Sequence, residues 1–233
     1  MAIKKRYIAL SALTALSVLV THFPASWAGK LAAPKLPVKL GGTIWNGYVP
    51  SINAMPPIRF ETSLTGLLND DPVVKFFGSG NGLNIEGTAE ADHIKTLSFK
   101  GDAVFLGQID GRLANLRGRF DMTASQLNFS GDCAEVTGRV STDILSSNSA
   151  LWRWTGPPLS GPITCENGIL TSTLSGNIPG QSVETVLKII PDGTYQIRAV
   201  INTNTPEAGL VLPLYGFENQ GERYTMNEAG RWM

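Results

Sequence analysis

Apolar and polar residues alternate through long stretches of this chain. The stretch "IKTLSFKGDAVFLGQIDGRLANLRGRFDMTASQLNFSGD" carries Ile94, Leu97, Phe99, Val104, Leu106, Ile109, Leu113, Leu116, Phe120, Met122, Leu127 and Phe129, divided by polar residues and Gly. No i, i+3, i+4, i+7 stripe persists, so the pattern is that of strands with one covered face. "VETVLKIIPDGTYQIRAVINT" reads as a hairpin. Val183–Ile190 and Tyr195–Ile201 are its strands, and Pro191-Asp192-Gly193 is its turn. Asp192 tolerates the bend, and Gly193 accepts a positive φ without a Cβ clash. "GSGNGLNIEG", residues 78–87, reads as another hairpin turn. Helix is expected only over Val140–Trp152. Ser141 or Thr142 would cap it and Asp143 would favour its positive end, until Trp154-Thr155-Gly156-Pro157-Pro158 stops it. The expectation is a mainly β, antiparallel fold with one short helix. Its sheet would be curved and groove-like or sandwich-like, with successive strands adjacent.

Composition sharpens this picture. The 233 residues suit one domain or at most two small ones. Charged residues make up 16% against an ordinary share of about 25%, so Ser, Thr, Asn and Gly cover much of the surface. The first residues stand apart. "MAIKKR" is basic, "YIALSALTALSVLV" is apolar, and "THFPASWAG" offers Ser26 and Ala28 as a small-x-small cleavage site. Residues 1–28 therefore read as a signal peptide or as a single-span membrane anchor with its basic end in the cytoplasm. Either places the body outside the cytoplasm. Residues 29–40, "GKLAAPKLPVKL", form an extended linker, and 41–233 form the body. Setting aside Lys4, Lys5 and Arg6 leaves 16 of the 19 bases against 19 acids, a net charge of −3. A nucleic-acid partner is not expected, because phosphate contacts need clustered Lys and Arg.

Cys133 and Cys165 are the two cysteines. An even pair in an exported chain reads as a disulfide, with two buried free thiols as the alternative. A bond closing a loop of this length would contribute about 3–4 kcal/mol by the loop-entropy model.

Catalytic chemistry finds little to use. His93 is the one imidazole beyond the leader, and no Gly-x-Ser-x-Gly elbow accompanies it. Asp70 and Asp71 precede Pro72 and read as a turn rather than a glycosidase pair. Residues 78–87 lack the Lys-Ser/Thr of a phosphate loop. The expectation is a protein without catalytic residues, metal or cofactor. Trp45, Trp152, Trp154 and Trp232 stand beside Gly or Pro turns. Such residues plug the ends of sheets or meet a partner or lipid.

The order of segments resembles a known family. A leader is followed by "GGTIWNG", Cys133 before "VTGRVSTDIL", "WTGPPLSGPITCENG", "IPDGTYQIRAVI", "LPLYGFENQGERY" and a final "GRW". This is similar to protein N of the bacterial type II secretion system, over most of Gly41–Trp232 and most closely in the second half. The resemblance implies an accessory structural subunit at the periplasmic side of the inner membrane, anchored or released. Its partners would be other secretion subunits and the inner membrane. A periplasmic module binding lipid or another apolar ligand in a groove-like sheet is the alternative. The residues carried by the motif are Trp45, Gly156, Pro157, Pro158, Gly161, Pro162, Asp192, Gly193, Gly230 and Trp232. Gly156–Pro162 would be a rigid connection feeding the strand of Cys165, and the Cys133–Cys165 bond would fix that strand's register.

Overall fold

A computed structural model describes residues 22–26, 39–51, 55–63, 73–90, 93–105, 111–128, 136–190 and 192–231. Residues 1–21 and 27–38, which hold most of the expected leader and linker, as well as Asp70, Asp71, Cys133 and Trp232, lie outside the described residues. The body is one open antiparallel sheet of 14 strands. Its first seven strands are β1 (Gly41–Gly42), β2 (Asn46–Val49), β3 (Ile58–Thr62), β4 (Val74–Gly80), β5 (Leu83–Ala89), β6 (His93–Asp102) and β7 (Arg119–Asn128). Then come β8 (Thr137–Thr142), β9 (Leu159–Glu166), β10 (Ile169–Ile178), β11 (Gln181–Ile189), β12 (Thr194–Thr203), β13 (Glu218–Gln220) and β14 (Arg223–Arg231). Each strand pairs with the next as far as β12. There the order changes: β14 pairs with β12, and β13 lies outside it.

The mainly β, antiparallel character agrees with the alternating pattern. The single open sheet replaces the sandwich-like option. Turn chemistry places the hairpins expected over residues 78–87 and 191–193, and a further one forms at Asn167-Gly168. Asn81 and Gly82 both adopt positive φ (53° and 78°) between β4 and β5, and Asn167 and Gly168 do so between β9 and β10 (52° and 77°). Paired positive φ values match the right-handed strand twist, which is why Asn-Gly recurs here. The β11–β12 hairpin turns at Gly193, φ 84°.

The helix expected over Val140–Trp152 is corrected. Val140–Thr142 belong to β8, and the rest forms two single turns, α1 (Ile144–Ser147) and α2 (Ser149–Trp152). Asn148 ends one and begins the other. Its buried side chain donates to the Ile144 and Arg117 carbonyls and accepts from Arg117 N–H. A side chain that so engages local backbone competes with helix continuation. A further helix, α3 (Pro206–Val211), starts with Pro at its first position and runs into a 3-10 turn, Leu212–Tyr215.

The core follows from where the connections lie. At one end of the sheet the strands are joined by long segments: β6 to β7, β8 to β9, and β12 to β13. These fold over the apolar face. Ala103, Leu116, Trp152, Trp154, Ala208 and Leu212 from the connections pack on Leu159, Leu174, Val183, Ile201 and Tyr224 from the strands. Trp154, 1% exposed, donates its indole N–H to Gln181 Oε1 at 3.0 Å, and Trp152 donates to the Tyr215 hydroxyl at 3.2 Å. Both buried indoles thus have the partner they need. A smaller cluster holds Ala124, Leu127, Val136 and Ile163, with Cys165 and Leu170 packed against it.

Aromatic rings over glycines support the rest of the sheet. Gly47 pairs directly with Phe60, Gly87 with Phe76, and Gly101 with Phe120. A Cβ on any of the three would enter the opposing ring. The missing side chain lets each ring lie flat across its neighbour strand.

Candidate functional site

The Gly-Pro-rich block has two structural roles. Gly156–Pro158 bridge α2 to β9, with Pro157 buried in the core. Gly161 and Pro162, expected in that connection, instead sit inside β9. Pro in an internal strand removes a ladder donor. The β9–β10 pairing accordingly breaks between Ile163↔Ser172 and Ser160↔Ser175, while β8 still pairs with Gly161 and Pro162. Gly161 is required there because a Cβ would run into the Thr173 carbonyl. Ser172 Oγ donates to the Pro162 carbonyl at 3.2 Å. Cys165 stands three residues further along β9, half-buried against the smaller cluster and opposite Leu170. Its proposed partner Cys133 is outside the described residues.

The remaining motif residues are dispersed. Trp45 is half-buried at the β1–β2 turn, where its carbonyl accepts from Thr62 N–H. Gly230 pairs with Tyr195, and the Tyr195 ring occupies the space a side chain would need. Asp192 Oδ1 accepts from the Thr194 hydroxyl at 2.6 Å and from Thr194 N–H at 2.9 Å. The hydroxyl bond first, then the backbone bond, hold this exposed carboxyl below its ordinary value. His93 lies on β6 with Glu90 Oε2 at 3.4 Å. The structure gathers Gly156, Pro157, Pro158, Gly161 and Pro162 into one segment. Trp45, Asp192 and Gly230 lie elsewhere.

Two kinds of surface are open. One is a sheet edge. β13 pairs only with Arg223–Thr225 of β14, and no described strand lies beyond Met226–Arg231. Gln220 and Arg223 close a two-residue hairpin, so Arg223 and Thr225 direct their backbone groups toward β13. By alternation Asn227, Ala229 and Arg231 direct theirs outward. The other kind comprises grooves on the polar face. One, about 700 Å³, crosses β4–β8. A smaller one, about 480 Å³, lies over β11, β12 and β14 beside Lys188 and Arg198. Four exposed apolar residues, Val104, Leu151, Leu210 and Leu214, all lie in the long connections at one end of the sheet.

No family model, no curated protein and no solved structure matches this chain. Its own geometry must therefore carry the functional reading. Among the described residues no group of three or more His, Cys, Asp or Glu is placed to hold a metal ion. Among them, too, no helix is long and apolar enough to cross a membrane. Sequence reasoning did not identify which strand forms the open edge, nor the polar-face rows. The alternation in "NGYV", "IRFET" and "VKFFGSG" carried part of the signal, but which residues align across strands depends on register.

Proposed function

We propose that this chain is an exported accessory subunit of the type II secretion machinery, of the protein N family. In this reading it works at the periplasmic side of the inner membrane by binding other subunits, without cofactor or catalysis. The motif order supports the family, and one structural observation supports the mode of action: the open edge of β14. Unpaired N–H and C=O groups at Asn227, Ala229 and Arg231 suit addition of an extended segment from a partner. A curved, groove-like sheet and a Cys133–Cys165 bond belong to the same proposal. A lipid carrier has less support. Over β8–β14 the apolar face that acyl chains would need is already covered by Trp152, Trp154 and Leu212, and the described grooves open on the polar face.

The test is capture of inner-membrane secretion subunits by the tagged full chain, comparing wild type with Ala229→Pro. Proline removes an outward donor at an edge position where it is tolerated. Capture by wild type and its loss in the variant are expected. Equal capture by both, or stoichiometric lipid in an organic extract of the purified protein, would overturn the reading.

A further inference from the structure

Among the described residues seven large apolar side chains are markedly exposed, and two of them share one row of the polar face. Tyr48 on β2 pairs with Arg59, Arg59 with Phe77 on β4, Phe77 with Glu86, Glu86 with Ser98, and Ser98 with Thr123. Tyr48 is 49% exposed and Phe77 44%. The Tyr48 ring lies flat over Gly41 on the neighbouring strand, where any Cβ would meet it. One ring face is thereby turned to solvent. The two rings are two strand spacings apart, about 10 Å.

Beyond Phe77 the row enters the 700 Å³ groove. Six hydroxyls line it: Thr88, Thr96, Ser98, Thr123, Ser125 and Thr137. They form cross-strand pairs, Thr88 with Thr96 at 2.8 Å and Ser125 with Thr137 at 2.7 Å. Each hydroxyl in such a pair still has a lone pair or proton for a ligand. Charge at this end is balanced: Arg59 and Lys75 are opposed by Glu61 and Glu86 on the same face.

We propose that this surface binds a neutral oligosaccharide lying across the strands. Sugar rings stack their C–H faces on exposed aromatics, and their hydroxyls exchange hydrogen bonds with Ser and Thr. The chemistry is that of a site with few polar contacts and aromatic walls. An acyl chain would gain nothing from the hydroxyls. A polyanion would need clustered positive charge, whereas Arg59, Lys75, Lys100 and Arg139 on this face are interleaved with Glu61, Glu86 and Asp121. A peptide finds its backbone partners at the sheet edge rather than on its face. This inference does not depend on the secretion reading.

The test is calorimetric titration of the purified full chain with cellohexaose, with chitohexaose, and with polygalacturonate as the charged comparison. Saturable binding of at least one neutral sugar is expected. Phe77→Ala and Tyr48→Ala should each weaken it several-fold, and Phe77→Trp should retain it. Each side chain is nearly half exposed, and circular dichroism of both variants checks that the fold is kept. Three results would each overturn the proposal: no binding of either neutral sugar at millimolar concentration, binding unchanged in both alanine variants, or binding of polygalacturonate alone.

Discussion

In β8–β14 the apolar face is covered by chain that leaves the sheet and returns, with Trp152, Trp154, Ala208 and Leu212 laid on the strands. In β2–β7 the connection contributes Phe105 over Phe120, and a second kind of packing appears on that face: Phe60, Phe76 and Phe120 lie across Gly47, Gly87 and Gly101 of neighbouring strands. The first arrangement places bulk above the sheet. The second removes bulk from within it, so that a ring fills the space of its own pair. The contrast teaches that long connections and glycines are two routes to the same end, shielding apolar surface from water. They should fail differently.

Trp154→Ala should give the largest effect. The side chain is buried and hydrogen-bonded to Gln181, so loss of about 3–5 kcal/mol is expected in urea unfolding. Leu210→Ala, on the same layer but 76% exposed, should change stability by less than about 0.5 kcal/mol. If the two cost the same, the covering layer is not the core of that half. Cys133→Ser should come next, at about 3–4 kcal/mol without reductant and with no further loss once wild type is reduced. Equal stability of wild type and variant in oxidising buffer would remove the bond from the account. In the other half, Gly87→Ala should cost about 1–3 kcal/mol, because its Cβ would meet both the Phe76 ring and the Thr96 carbonyl. A neutral result would show that the rings do not need their glycines.

Asp192→Asn should be the smallest change and should depend on pH. The folded carboxyl titrates below its ordinary value of 3.8, so its contribution is present above that value and fades as pH falls through the lower, folded one. The gap between wild type and variant, followed by thermal unfolding from pH 7 downward, should therefore close in acid. A gap that widens in acid would contradict the hydrogen bonds from Thr194.

Much of the fold is legible in the sequence because it is local. Asn81-Gly82, Asn167-Gly168 and Gly193 mark hairpins through positive φ values that few other residues adopt. The polar and apolar alternation announces strands. One continuous helix over Val140–Trp152 does not form, because the β-branched Val140 and Thr142 continue β8 and Asn148 divides the remaining residues into two turns. Gly161 and Pro162 read as connection because Pro usually is; only the break in the β9–β10 ladder explains their place inside a strand.

The sequence by itself determined strand-forming segments and many turn positions, consequences of local conformational preference and composition. Tertiary structure decided what no local rule contains. It chose β14 over β13 as the neighbour of β12, left Met226–Arg231 unpaired on their outer side among the described strands, and aligned Tyr48 with Phe77 across Arg59. The physical reason is register: hydrogen-bonded pairing fixes which distant residues share a row, and a slip of one residue would turn each of them to the opposite face.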